Sequence, residues 1–127
     1  MIDKETEKKF LKAEKYRVNK EFEKAIDIFK VILEQFPKLP PALHNLAICY
    51  TELKKIEEAE KCYIKCLEIK PVSILSVNNL GKLYYNTGQF KKALPILEKS
   101  LLMKEDQETV IEAVSYTHLT LPTNREV

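Results

Sequence analysis

From Met1 to about Glu112 the apolar residues fall three and four apart, the spacing of one buried helix face, and short polar breaks interrupt them at regular distances. Leu43, Leu46, Ala47 and Tyr50 mark one stripe, and Val77, Leu80, Gly81 and Tyr84 mark its counterpart 34 residues later. The breaks are Asn19-Lys20-Glu21, Leu53-Lys54-Lys55 and Thr87-Gly88-Gln89. After each break a second stripe begins, near Phe22, Ile56 or Phe90. In the first copy it runs through Ala25, Phe29, Ile32 and Leu33. Pro37 and Pro71 stop the second helices of the first two copies, because proline lacks an amide donor and disfavours helix in the residue before it. The pattern predicts six helices in three pairs. Pro95 falls about five residues into the last of them, where it predicts a mild kink near the start rather than a break.

The register between copies is strict. Ala25, Ala59 and Ala93 are 34 apart, as are Tyr16, Tyr50 and Tyr84, and Ala13, Ala47 and Gly81. Phe22, Ile56 and Phe90 keep the same spacing, followed by Phe29, Tyr63 and Leu97, then Leu33, Leu67 and Leu101. A fixed period of this size means one structural unit repeated. Two helices joined by about three residues must return antiparallel and close. Ala or Gly at positions 13, 47 and 81, set against Ala at 25, 59 and 93, lets the backbones approach. The aromatic columns then fill the space between one pair and the next, since a single pair cannot bury its own faces.

These columns resemble the tetratricopeptide repeat (TPR) family, whose unit places Leu, a small residue, Tyr, Ala, an aromatic, Ala and Pro at fixed offsets. Leu46, Ala47, Tyr50, Ala59, Tyr63, Cys66 and Pro71 stand there in the middle copy. Leu80, Gly81, Tyr84, Gly88, Ala93, Leu97 and Ser100 stand there in the third, while the first copy has Lys12 in place of Leu. The resemblance covers about residues 6–107. It implies an all-α, right-handed α-solenoid of three units at about 6–39, 40–73 and 74–107. It also implies a protein–protein interaction module, a scaffold that takes a peptide or partner protein in a concave groove lined by the first helix of each unit. By register the groove positions are His44, Asn45, Ile48, Thr51 and Glu52 in the second unit. In the third they are Leu75, Asn78, Asn79, Lys82, Tyr85 and Asn86. Asparagine is a poor helix former whose amide both donates and accepts, which suits the holding of a peptide backbone. Some TPR domains clamp the C-terminal carboxylate of a chaperone tail with Lys, Asn, Asn, Lys and Arg. This chain has Phe10, Glu14, Asn45, Leu75 and Asn79 at those positions, one match in five with all three cations missing. That ligand is not expected. The alternative function is that of an N-terminal TPR arm of a larger enzyme, of glycosyltransferase or kinase type, whose catalytic domain is missing.

Composition narrows the picture. Lys and Arg number 21 against 19 Asp and Glu, mixed along the chain for a net charge of +2, with no basic patch of the kind that marks a nucleic-acid binder. Two glycines leave little from which to build a phosphate-cradling loop. No apolar run approaches the roughly 20 residues that span a bilayer. The opening MIDKETEKKF is charged throughout and does not read as a signal peptide, so a cytoplasmic protein with three reduced Cys is expected. Cys62 and Cys66 share a helix face, but a metal would need two further ligands beside them, and Cys49, His44 and His118 are the remaining candidates. Buried structural thiols are the better reading. His44 lacks a recognisable nucleophile or orienting carboxylate. No catalytic residue, cofactor or metal is expected, and the Lys/Glu runs read as solvated helix faces.

The pattern fails at Ala113. Residues 108–113 read as the start of a truncated fourth unit, with Val110 and Ile111 apolar, but His118 falls where an aromatic belongs. The stretch VSYTHLTLPT resembles the translation of a sequencing-library transposon adapter, and an index followed by GTG TAG would supply Asn124 to Glu126 and then Val127 before a stop. Residues 114–127 are therefore expected to be a non-native, disordered tail that ends a truncated reading frame. An array cut in this way exposes an uncapped last unit, through which self-association is possible.

Overall fold

The computed structural model describes residues 2–70 and 73–103 of the 127. The expected fourth-unit start at 108–113, the tail at 114–127 and the stop at Pro71 lie outside the described residues.

Six helices and no strand occur among the described residues: α1 (Lys4–Val18), α2 (Phe22–Gln35), α3 (Pro40–Glu52), α4 (Ile56–Ile69), α5 (Ile74–Asn86) and α6 (Phe90–Met103). The second helices begin at Phe22, Ile56 and Phe90, and α3 and α5 begin at Pro40 and Ile74, each step being 34 residues. The fold is the all-α helical solenoid class of the TPR. The chain falls into two compact units, Met1–Pro71 carrying α1 to α4, and Val72–Val127 carrying α5 and α6.

Each helix starts and stops for a local reason. Asp3 caps α1, its carboxylate accepting from the Thr6 amide at 2.7 Å. Pro40 stands at the first position of α3, where its missing amide costs nothing. The three joints inside the pairs share one geometry. The amides of Glu21, Lys55 and Gln89 each reach back to the carbonyls of Tyr16, Tyr50 and Tyr84 at 2.8 Å. Those of Lys20, Lys54 and Gly88 bond to Arg17, Thr51 and Tyr85 at 3.0 to 3.1 Å. This is the Schellman closure, and it requires a left-handed residue at its centre. That residue is Lys20 (φ 66°), Lys54 (φ 64°) or Gly88 (φ 79°). The polar breaks in the sequence are therefore three copies of one turn.

In the first unit, α1 packs on α2, α2 on α3, and α3 on α4. Ala13, Ala25, Ala47 and Ala59 are all fully buried, as the close approach of paired helices demands. Phe29, Ile32 and Tyr63 fill the remaining space, and Phe10 meets Phe29 edge to face with ring centroids 5.7 Å apart. The Cys66 thiol donates to the Pro40 carbonyl at 3.7 Å, joining the two ends of the second pair.

In the second unit, α5 and α6 pack through Val77, Leu80, Gly81, Ala93 and Leu97. The sequence sets Gly81 against Ala93, and the structure adds Leu97 to the residues that Gly81 approaches. A Cβ on Gly81 would lie 2.6 Å from Leu97 Cδ2 and 3.0 Å from its Cγ. Glycine is used here for close approach, not for φ, because Leu97 is itself fully buried and has nowhere to retreat. Helix α6 runs unbroken across Pro95, which faces solvent.

Candidate functional site

The positions expected to line a groove lie on the first helices of the pairs. In the first unit these are α1 and α3, which touch only sparingly and leave parts of both faces uncovered. On α1, Glu14 and Arg17 form an ion pair one turn apart, Oε1 to Nε 2.8 Å, with both side chains partly exposed. An exposed pair of this kind adds little stability, but it fixes where the charges stand. His44 on α3 lies near enough to feel both. Burial is the main cause that pushes the His44 pKa down; the Arg17 guanidinium adds to it and the Glu14 carboxylate opposes it. The imidazole also meets the Tyr63 ring edge to face, centroids 5.9 Å apart, so it is held as a neutral, packed ring.

Along α3, Ile48 is partly buried and Asn45 is almost wholly buried, at 7% exposure. Thr51 turns its hydroxyl back onto the Ala47 carbonyl at 2.9 Å, and Glu52 is exposed. The described part of this face thus combines one ion pair, one neutral imidazole and an apolar step.

In the second unit, α5 separates its groove positions into two kinds. Asn78 belongs to the buried side, at 2% exposure, and neither Nδ2 nor Oδ1 has a hydrogen-bond partner among the described residues. An amide so enclosed is out of a ligand's reach unless its cover moves. Asn79, Lys82 and Tyr85 are partly buried, and Asn86 is exposed. Tyr85 is braced by Phe90, centroids 5.5 Å apart at 63°. Asn79, Lys82 and Asn86, at i, i+3 and i+7, lie along one stripe of the helix. Leu75 is 61% exposed near the helix start.

The burial of Asn78 had a signal in the sequence. Position 78 is the 34-residue equivalent of 10 and 44, and the structure packs the rings at 10 and 44 against the Phe29 and Tyr63 column. A column whose members pack inward is a core column, even where it holds Asn.

The carboxylate-clamp positions are occupied in ways that follow from packing. Phe10 is engaged with Phe29, Glu14 is paired with Arg17, and Asn45 is buried. The thiols are quiet. Burial pushes Cys49 and Cys62 up to about 11, where the nucleophilic and metal-binding thiolate is scarce. Among the described residues no group of three or more His, Cys, Asp or Glu could hold a metal ion, and no helix is long and apolar enough to cross a membrane.

Comparison with known proteins agrees with this architecture. A family model described as tetratricopeptide repeat matches residues 38–106, and a second, described as anaphase-promoting complex, cyclosome, subunit 3, matches residues 1–66. The peroxisomal targeting signal receptor of Candida albicans is 32% identical over 90 residues, which are 71% of this chain and 15% of that protein. Heat shock protein STI1 of Saccharomyces cerevisiae is 28% identical over 102 residues, 80% of this chain and 17% of that one. The chain thus spans less than a fifth of the length of these curated relatives. Among solved structures, the first TPR of Spaghetti (RPAP3), bound to the HSP90 peptide SRMEEVD, superposes with a TM-score of 0.88 at 18% identity, covering 96% of this chain and 98% of that one. The TPR2B domain of yeast Sti1, in complex with pHsp70, gives 0.87 at 13% identity, covering 94% and 100%. At such identities the likeness is one of fold. The strict 34-residue register, the three Schellman joints and the family match over more than half the sequence lead to one conclusion: the chain belongs to the tetratricopeptide repeat family.

Proposed function

We propose that this chain is a non-catalytic protein-interaction module that binds a peptide segment of a partner protein on the exposed faces of its first helices. The observation that carries the reading is the stripe of Asn79, Lys82 and Asn86 on α5, flanked by the braced Tyr85, on a helix whose opposite side is core. Amides, an ammonium and an aromatic ring at half-exposed positions suit a ligand that presents backbone polar groups and an apolar or acidic side chain. The structural neighbours in complex with an HSP90 peptide and with pHsp70 support the same kind of ligand. The partner segment is bound internally rather than by its terminal carboxylate, because the clamp positions hold Phe10, Leu75 and Asn79 in place of cations. We place the protein in the cytoplasm, whose reducing conditions suit three cysteines held as thiols.

Selection of peptides from a random library displayed with blocked C-termini tests the reading. Selected peptides should bind the wild-type chain and lose about tenfold in affinity to Lys82→Ala/Asn86→Ala, a change of about 1.4 kcal/mol that leaves the helical circular dichroism unchanged. Peptides that bind the double variant as tightly as wild type would put the ligand elsewhere.

A further inference from the structure

A second surface lies in the first unit, away from the groove positions. A cleft of about 390 Å³ opens among α2, α3 and α4. Leu43 and Leu46, 4% and 5% exposed, form its floor, with Leu33 and Cys62 on the walls. Its rim carries Lys30 from α2 and Lys61 and Lys65 from α4, all exposed, and Glu34 is the one carboxylate among the lining residues. The described ion pairs, Arg17–Glu14 and Lys24–Glu21, involve none of these lysines. Elsewhere along α4 the charged residues are all carboxylates: Glu57, Glu58, Glu60 and Glu68. Here ammonium groups from two helices converge on an apolar floor.

The size matters as much as the charge. Ligand-holding clefts run from about 300 to 1,000 Å³, so this one is at the small end. It is large enough for one or two bulky apolar side chains and too small for a whole helix face. A hydrophobic side chain entering it would leave water, while carboxylates on either side of that residue would reach the rim. Charge of one sign around a low-dielectric floor steers the opposite sign inward and sets the register.

We propose that the cleft bounded by Lys30, Lys61 and Lys65 over Leu43 and Leu46 is a second docking site, one that takes an acidic peptide segment by a large apolar residue between carboxylates. This site shares no residue with the stripe on α5. A chain that carries both is an adaptor: one partner on the first helices, another on the second.

The test uses a capped, fluorescein-labelled peptide in which Leu-Phe is flanked by two glutamates on each side, titrated against the full chain. Saturable binding is expected, weakened about tenfold by Lys61→Glu/Lys65→Glu and further by added salt. The same peptide with glutamine for glutamate should bind at least about tenfold more weakly. Lys12→Glu/Lys15→Glu, an equal change of charge on α1, should alter the affinity less than about twofold. Saturating peptide should also slow the alkylation of Cys62 by N-ethylmaleimide, since Cys49 and Cys66 are buried and Cys62 lines the cleft. Absence of binding would overturn the proposal. So would equal binding of the glutamine peptide, equal loss from the α1 variant, or unchanged alkylation of Cys62. Two further results would overturn it in favour of another occupant: displacement by dodecanoate alone at lower concentration than the peptide, or a dimer in sedimentation that dissociates in the Lys61→Glu/Lys65→Glu variant.

Discussion

Lys20, Lys54 and Gly88 stand at the same point of the same turn, yet only one of them is glycine. A side chain in the left-handed region brings Cβ close to the following carbonyl oxygen, at a cost of roughly 1–2 kcal/mol. Part of this is offset at Lys20 and Lys54, whose ammonium groups lie at the negative end of a helix dipole. Lys54→Gly should therefore stabilise the fold by about 0.5–1 kcal/mol in urea denaturation, and Lys54→Ala, which removes the charge without relieving the backbone, should not. Equal effects of the two substitutions would show that charge, not conformation, sets the balance. Nothing within 4 Å would obstruct a side chain at Gly88, so Gly88→Lys should lose about the amount that Lys54→Gly gains, through φ alone.

At the scale of the helix, α5 and α6 approach closely at Gly81, where an added Cβ would meet the Leu97 side chain. Alanine is the better helix former, by about 1 kcal/mol over glycine in mid-helix. Even so, Gly81→Ala should destabilise the second unit by about 1 kcal/mol, because overpacking against an enclosed Leu97 costs roughly 1–3 kcal/mol. Adding Leu97→Val should recover part of that loss, and a thermal-melting double-mutant cycle reads the coupling; strict additivity would sink the assignment. The helices themselves were legible in the sequence. Periodicity, the polar breaks and the proline at Pro37 placed them because these effects act within a few residues. The closeness of Leu97 to Gly81 was not, since Ala93 and Leu97 lie one turn apart on the same face of α6 and only packing shows how near each comes. The candidate site was legible only as register, which placed Lys82, Tyr85 and Asn86 on α5; the expectation that Asn78 lines a groove did not take into account that position 78 shares a column with packed rings. The lysine-rimmed cleft was hidden altogether, because Lys30 and Lys65 are 35 residues apart and only packing brings them to one opening.

For the molecule as a whole, two groups tie stability to acidity in the same direction. The pKa of His44 is pushed below its ordinary 6.5, chiefly by burial, so the unfolded chain binds the proton more readily. Its contribution is fully present above 6.5 and is lost as the pH falls through the lower folded value. Asp3 is held below its ordinary 3.8 by the Thr6 hydrogen bonds, so its contribution is present above that value and fades at more acidic pH. The melting temperature should thus drop between pH 7.5 and 5.5, and His44→Gln should flatten that part of the profile while leaving the decline near pH 4 intact. An unchanged slope in the variant would mean that another group titrates there.

The shared joint bears on how such a chain comes to exist. Each turn closes its own backbone through carbonyls and amides of the pair it connects. A further copy therefore arrives with its internal joint already made, and asks of its neighbour only a complementary apolar face. Duplication of a stretch of 34 codons can lengthen the gene without redesigning what is already there. Divergence can then act on the exposed stripes, where two copies of one ancestral helix have come to carry Glu52 in one place and Asn86 in the other.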